Sequence, residues 1–439
     1  MGIKLRLTLT NFFQLFVWGA WLTTLASYGF GFKHWSGQEF GIVFSTLGIG
    51  SIVMPAISGI IADKFLNLEK LYGLHHIFYG IVLLFIPVIN NASTFFWVML
   101  VAMLFYMPTL SLSNALSYTI LKNNNLDVVK VYPPIRVWGT IGFIAAMWVT
   151  NLISDPNSPL AFGLTIGNKL AALTSMPIQC NQFYVASFFA ILLGLFSFSL
   201  PKCPPKNENS GENKSLSEKL GLQAFKLFKN PKMATFFVFS MFLGAALQLT
   251  NMYGETFIRD FGNIKEFADT FVVKSANIVL SISQISETIF ILAIPFFLKR
   301  YGIKKVMLFS LVAWVLRFGF FAFGDPINSL WMILMSNIVY GFAFDFFNIS
   351  GSLFVETTTD SKIRSSAQGM FMMMTNGFGA ILGSLTSGYL IDNYFIHNGI
   401  KDWHNIWLTF AIYALVIAIA FGIFFKHKHN PEELEVVSH

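Results

Sequence analysis

Charged residues are scarce in this chain. Asp, Glu, Lys and Arg make up 12% of its 439 residues, about half their share in soluble globular proteins. Hydrophobic residues account for 55% and aromatic residues for 17%, and the mean hydropathy is +0.62. This composition excludes an ordinary soluble enzyme, a disordered chain and a collagen-like fibre. Because a membrane-crossing helix needs about 20 apolar residues, it predicts an all-α integral membrane protein with many crossings.

Cysteines and catalytic motifs are scarce as well. The two cysteines, Cys180 and Cys203, flank one predicted span, so we expect them on opposite sides of the membrane, beyond disulfide distance. Two isolated cysteines do not make a zinc site. The sequence has no H-E-x-x-H, no glycine-rich phosphate loop with lysine and no G-x-S-x-G. We therefore predict that the chain is not an enzyme and uses no cofactor or metal.

Long hydrophobic runs, in contrast, recur in two series of six. The first series covers residues 8–30, 39–62, 71–90, 94–120, 134–153 and 181–200. The second covers residues 233–257, 271–298, 305–323, 329–356, 366–393 and 403–425. The pattern predicts an N-terminal six-helix bundle at 1–200, a cytoplasmic linker at 201–232, a C-terminal six-helix bundle at 233–425 and a cytoplasmic tail at 426–439. Two such halves are typical of transporters built from an internal repeat.

The positive charges predict how the chain is oriented in the membrane. With both termini in the cytoplasm, 21 of the 29 lysines and arginines fall on the cytoplasmic side, six in outer loops and two within spans. This bias is typical of membrane proteins. It explains the net charge of +7 without a nucleic-acid partner.

Polar residues inside the spans are candidate functional residues, since a charge at mid-membrane costs at least about 2.5–3.5 kcal/mol. In the fifth span, Arg136, Thr140 and Phe143 share one helical face because their spacing is i, i+4 and i+7. That face offers a five-donor cation, a hydroxyl and an aromatic ring. The alternative is an arginine at the membrane interface that bonds backbone carbonyls or lipid headgroups.

The seventh span carries two amides on one face, Gln248 and Asn251. Each amide can donate and accept hydrogen bonds, as binding of a nucleobase edge or a sugar requires. The alternative is hydrogen bonding between helices. Glu255 continues the same face, but we expect it to lie near the outer end and to be solvated.

The eighth and tenth spans carry carboxylates among apolar residues. Gln284 and Glu287 are spaced i, i+3, and Asp345 follows Tyr340 and Phe344 in a run of phenylalanines. A carboxylate in such surroundings should pair with a cation or take up a proton, and the rings could stack on a flat ligand. The alternatives are a structural ion pair with an arginine and, for Asp345, the cap of a broken helix.

Three other polar residues have structural interpretations. We expect Arg317, in the ninth span, to be structural and to balance an internal carboxylate. His75 and His76 are adjacent and cannot share a helix face. We therefore expect both histidines at the membrane interface.

Several strings resemble one known family, the bacterial nucleoside:proton symporters of the major facilitator superfamily. The strings are YPPIRVWGTIGF (132–143), SISQISETIFIL (281–292), IPFFLKRYGIKKVM (294–307), YGFAFDFFNISGSLFVE (340–356) and SAQGMFMMMTNGFG (366–379). The short loops after the second and eighth spans each keep part of the G-x-x-x-D-[RK]-x-G-[RK] signature of that superfamily. The resemblance covers nearly the whole chain.

The resemblance implies twelve transmembrane helices in two six-helix bundles around a central cavity. It implies proton-coupled import of purine and pyrimidine nucleosides, such as uridine, by alternating access across the bacterial inner membrane, by a monomer in the lipid bilayer. The nucleoside-binding residues that it implies are Arg136, Thr140, Phe143, Gln248, Asn251, Gln284, Glu287, Tyr340 and Phe344. It implies proton coupling by Asp345, with Glu287 second. The alternatives are a facilitator or symporter of the same fold for a sugar or nucleobase, and a non-transporting receptor or scaffold.

Overall fold

The computed structural model describes residues 2–158, 160–205, 222–360 and 363–428. Contacts between Cα atoms divide the chain into two units. The first unit comprises Met1–Ser215 with Lys274–Ile278, and the second comprises Leu216–Val273 with Val279–His439. Both units are built from helices that pack along one another.

The first unit contains seven α-helices within its described residues. They are α1 (Ile3–Gly19), α2 (Gly37–Lys64), α3 (Leu68–Phe85), α4 (Ala92–Asn123), α5 (Val128–Ile153), α6 (Ala161–Thr174) and α7 (Asn181–Ser197). A π-helix at Ser27–Phe32 and 3-10 helices at Ile86–Val88 and Ile178–Cys180 extend three of the predicted spans. Helix α6 forms between the fifth and sixth predicted spans, within residues 154–180, where the hydropathy pattern predicts no span.

The second unit continues the numbering with shorter and more interrupted helices. They are α8 (Pro231–Asp260), α9 (Phe271–Lys274), α10 (Ala276–Ile291), α11 (Ile294–Phe323), α12 (Leu330–Ala343), α13 (Asp345–Thr358), α14 (Arg364–Met372), α15 (Ala380–Tyr394) and α16 (Trp403–Phe424). Leu222–Lys229 and Phe261–Asn263 are 3-10 helices, and Met373–Gly379 is a π-helix. An antiparallel hairpin, β1 (Ile396–His397) with β2 (Ile400–Lys401), precedes α16.

Nine helical segments in the described part of the chain are long and apolar enough to cross a membrane. Other predicted spans are interrupted, as in the first, eighth and eleventh. The junction of the eighth and ninth spans lies inside α11, at Gly302, whose φ of 75° falls in the left-handed region. A glycine adopts this conformation at little steric cost, so the chain can turn sharply here between two helical segments.

The same pairing of helices recurs in the two units. In the first unit α1 packs along α5, α2 along α4 and α3 along α7. In the second unit α8 packs along the π-helix Met373–Gly379, α11 along α16, and α10 beside α12, where Ser286 Oγ donates to the Ile338 carbonyl. Counted in spans, each pairing is repeated six spans later. This repetition agrees with an internal two-fold repeat.

Glycines permit the closest of these helix contacts. A Cβ on Gly142 of α5 would collide with the Phe12 carbonyl of α1, and one on Gly244 of α8 would collide with the Thr375 carbonyl. Small residues let membrane helices approach closely in this way. The two glycines therefore lie at equivalent contacts, first span to fifth and seventh span to eleventh.

Candidate functional site

Helix α5 presents the first group of candidate residues. Arg136 is exposed, Thr140 is partly buried and Phe143 is buried. The guanidinium Nη1 of Arg136 lies 2.8 Å from the point where a Cβ on Gly139 would stand, so the arginine side chain runs along the helix towards Thr140. The ring of Phe143 packs edge-on against Trp18 of α1, with the centroids 6.4 Å apart. The structure therefore brings the predicted cation, hydroxyl and ring onto one face.

Helix α8 presents the second group. Gln248 is buried and Asn251 is partly buried. The expectation for Glu255 is wrong, because its side chain is 1% exposed and forms an ion pair with Arg259, one turn further along the helix. Burial of a charged carboxylate is costly, and pairing with a cation offsets part of that cost. The polar face of α8 therefore ends in a buried ion pair.

The third group lies where α10 meets α12. The Tyr340 hydroxyl contacts the Gln284 side chain, and Glu287 and Asp345 lie close enough to the phenol for electrostatic interaction. Tyr340 and Asp345 are buried, whereas Gln284 and Glu287 are partly buried. The structure thus gathers an amide and a carboxylate of α10, the phenol of α12 and the carboxylate at the start of α13.

The tenth span is broken next to Asp345. Helix α12 ends at Ala343 and α13 begins at Asp345, with Phe344 between them at φ −94° and ψ −58°. The Ala343 carbonyl accepts a hydrogen bond from Ser310 Oγ of α11. Tyr340 and Phe344 consequently do not lie one turn apart on a continuous helix. Asp345 occupies the first turn of α13, where the helix dipole favours a carboxylate.

Arg317 has different partners from those expected. It is 1% exposed, and it donates to hydroxyls of Thr250 and Ser283 and to the Ser336 carbonyl. Its guanidinium carbon lies 4.5 Å from the ring centroid of Tyr340. Within the described residues, its hydrogen-bond acceptors are therefore neutral oxygens rather than the predicted carboxylate.

The two histidines are buried, not interfacial as expected. His76 is 0% exposed and His75 is 5% exposed. His76 Nε2 lies 2.8 Å from Oε1 of Gln14, which also accepts from the Tyr72 hydroxyl at 2.6 Å. Gln14 in turn donates to Thr109 Oγ1 at 2.8 Å. Polar atoms at this depth need partners, and α1, α3 and α4 supply them to one another.

Sequence reasoning missed Gln14 and Trp18. It also placed Glu255 in solvent, although Arg259 offered it a partner one turn further along the same helix. Gln14 lies within the first apolar run, so it could have been found in the same way as Gln248, as a polar group inside a predicted span. Trp18 carried no such signal, because a tryptophan is common in an apolar segment. Its contact with Phe143 depends on how α1 packs against α5.

A groove of about 690 Å³ lies on the second unit, between α8 and α16. Its lining is almost entirely apolar and includes Val238, Phe242 and Val416. A lining of this kind suits lipid chains better than a polar solute, since it offers few hydrogen-bond partners. The candidate residues do not line this groove.

Comparisons with known proteins agree over the whole chain. The model of the nucleoside H+ symporter family matches residues 1–430. The chain is 50% identical to the xanthosine permease of Escherichia coli K12 over 99% of each chain, and 47% identical to the nucleoside permease NupG of that strain over 100% of each chain. A crystal structure of a point mutant of the nucleoside transporter NupG, 47% identical, superposes with a TM-score of 0.88, covering 97% of this chain and 100% of that one. The predicted major facilitator fold is confirmed.

Proposed function

Because the chain belongs to the nucleoside H+ symporter family, we propose that it imports nucleosides together with protons by alternating access. The observation that carries this proposal is the cluster at the meeting of α10 and α12, where Tyr340 contacts Gln284 beside Glu287 and Asp345. Amide, phenol and carboxylate groups are suitable partners for ribose hydroxyls and base edges. Purine and pyrimidine nucleosides are the proposed substrates, in line with the names of the relatives.

Each unit contributes a set of side chains to the proposed nucleoside contacts. The first unit contributes the face of α5 formed by Arg136, Thr140 and Phe143. The second contributes residues of α8, α10 and the broken tenth span, namely Gln248, Asn251, Gln284, Glu287, Tyr340 and Phe344. A nucleoside is uncharged, with a flat base and a polar sugar, so aromatic rings suit one end and hydrogen-bonding groups the other.

Asp345 is the proposed proton-coupling residue, with Glu287 second. A buried carboxylate that gains a proton loses its charge, and this loss removes the cost of moving it into an apolar environment. In the proposed cycle Asp345 takes up a proton, nucleoside binds, and the bundles rock to the inward-facing state. One proton crossing 100 mV supplies about 2.3 kcal/mol, enough for roughly fiftyfold accumulation.

The proposed setting is the bacterial inner membrane, with both termini in the cytoplasm and the protein acting as a monomer. The proposed bundles are 1–200 and 233–425, joined by the linker at 201–232 and followed by the tail at 426–439. The proton is the coupling ion, and the proposal includes neither a catalytic step nor a bound cofactor.

The test is uptake of labelled uridine into proteoliposomes that are acidic outside, with and without a protonophore. We expect accumulation above the outside concentration that collapses when the protonophore is added. Equilibration that ignores the protonophore would contradict proton coupling. An absence of uridine flux in correctly folded protein would contradict the proposed substrate.

Competition against uridine uptake distinguishes a nucleoside transporter from a sugar or nucleobase transporter. An excess of unlabelled inosine or cytidine should suppress uridine uptake, because each presents both a base and a ribose. Free uracil and free ribose should compete weakly, since each offers only half of the contacts. Strong competition by either fragment would favour a sugar or nucleobase transporter instead.

A further inference from the structure

Arg317 is a fully buried cation to which the proposed transport cycle assigns no function. It lies in the C-terminal half of α11 and is 1% exposed. A charge at this depth lowers the stability of the inserted helix, and an apolar residue of similar volume often replaces a buried charge without loss of stability. The position of its contacts suggests a use for the charge.

The donors of Arg317 tie together the helices that carry the candidate site of the second unit. Nε lies 3.3 Å from Thr250 Oγ1 of α8, and Nη1 lies 3.2 Å from Ser283 Oγ of α10. Nη1 also donates to the Ser336 carbonyl of α12 at 2.7 Å. Ser336 Oγ returns a hydrogen bond of 2.9 Å to the Arg317 carbonyl. The planar fork of an arginine can serve several acceptors at once.

The guanidinium also stacks on two rings. Its carbon lies 4.5 Å from the centroid of Tyr340 and 5.2 Å from that of Phe321. Trp314 meets the Tyr340 ring edge-on, with the centroids 5.9 Å apart. The phenol is therefore held on one face by a cation and at another side by an indole, while its hydroxyl contacts Gln284.

We propose that Arg317 is a positioning residue for nucleoside binding, which acts by fixing the Tyr340 ring and the register of α8, α10 and α12. This inference rests on the proposed function, in which Tyr340 contacts the nucleoside. Arg317 itself does not touch the substrate. Its hydrogen bond to α12 and its contact with the phenol lie within the stretch 336–340, so movement of the guanidinium would shift both the backbone and the ring.

The test measures uridine binding and thermal unfolding of purified full-length protein in detergent. For Arg317→Met we expect the uridine Kd to rise about thirtyfold, or about 2 kcal/mol, the magnitude of a desolvated cation–π contact. Arg317→Lys keeps the charge but not the planar fork, so its Kd should rise by at least about threefold and less than that of Arg317→Met. This partial rescue separates positioning from simple filling of space.

Phe321→Leu is the matched control, since it removes the other ring against Arg317. It should lower the unfolding temperature but leave the uridine Kd within about twofold. A second check is the variant Tyr340→Leu. Once the ring is gone, adding Arg317→Lys should raise the Kd by a smaller factor than it does in the wild-type background, because residues in contact couple in a double-mutant cycle.

The outcomes are distinguishable. If wild-type protein binds uridine and Arg317→Lys raises the Kd by less than about threefold, the positioning role is wrong. The lysine variant decides the matter even if Arg317→Met does not fold. Wild-type protein that fails to bind uridine at all would contradict the proposed function itself.

Discussion

In the first unit a buried hydrogen-bond network is centred on the amide of Gln14, whereas in the second unit the comparable network is centred on the guanidinium of Arg317. Gln14 links α1 to α3 and α4, and Arg317 links α11 to α8, α10 and α12. Both networks fasten helices by satisfying buried polar atoms. Because the two networks differ in charge, we expect the two units to have different roles in transport.

The buried carboxylates of the two units also differ in their surroundings. Glu287 and Asp345 of the second unit lie near Tyr340 in the span interior. The buried Glu69 of the first unit instead serves the chain at the start of α3, where its Oε2 accepts from the Cys203 amide at 2.8 Å. We therefore propose that proton coupling belongs to the second unit, and we expect Glu69 to be structural.

The largest expected effect is that of Asp345→Asn. An amide cannot exchange a proton, so accumulation of roughly fiftyfold at 100 mV should fall to equilibration. Uridine exchange across the membrane should persist, because the amide keeps the shape of the side chain. The measurement is the steady-state ratio of labelled uridine in proteoliposomes. Concentration by this variant would show that the coupling group lies elsewhere.

A matched pair of glutamate variants tests directly whether the two units have different roles. Glu287→Gln should raise the uridine Kd about tenfold, since a hydrogen bond to a charged group is worth about 1.5–3 kcal/mol. Glu69→Gln should lower the unfolding temperature and leave the Kd nearly unchanged. Binding titrations and thermal melts of both variants provide the comparison. Equal effects on Kd would remove the distinction between the two units.

Gln14→Leu probes the neutral network. The change strands the Tyr72 hydroxyl and His76 Nε2, and each stranded buried group costs about 1–3 kcal/mol. The unfolding temperature should fall by several degrees, while proton-linked uptake per folded molecule persists. Differential scanning fluorimetry and normalised uptake provide the readout. Loss of proton coupling without loss of stability would make the first unit a partner in coupling.

The smallest expected effect concerns Cys203, which lies outside the spans. Burial, together with the nearby Glu69, raises the pKa of this thiol to about 12. At pH 8 only about one thiol in ten thousand is then a thiolate, the reactive form. Labelling by a maleimide should be slow and should accelerate as the pH rises towards 12. Glu69→Gln should speed labelling at pH 8, and fast labelling of the wild type would contradict the raised pKa.

The spacing of residues along the sequence was sufficient to predict part of the candidate site. The face of Arg136, Thr140 and Phe143 follows from helical periodicity alone, and α5 presents these residues as the spacing predicts. The carboxylates of Glu287 and Asp345 were found from the cost of burying charge. The proposed roles of these residues stay predictions.

Features that depend on packing between helices were not accessible from one sequence. His76 is satisfied by Gln14, 62 positions earlier. The break at Phe344 is accompanied by a hydrogen bond from Ser310, 33 positions before Ala343. Each of these outcomes requires a neighbour that the local pattern does not reveal.

The most direct test of the central claim is a measurement of proton movement in proteoliposomes loaded with a pH-sensitive dye. Uridine added outside, without an imposed pH gradient, should acidify the lumen of vesicles that contain wild-type protein. Vesicles with Asp345→Asn should show no acidification, although they exchange labelled uridine. Acidification of equal size in both would contradict the assignment of proton coupling to Asp345.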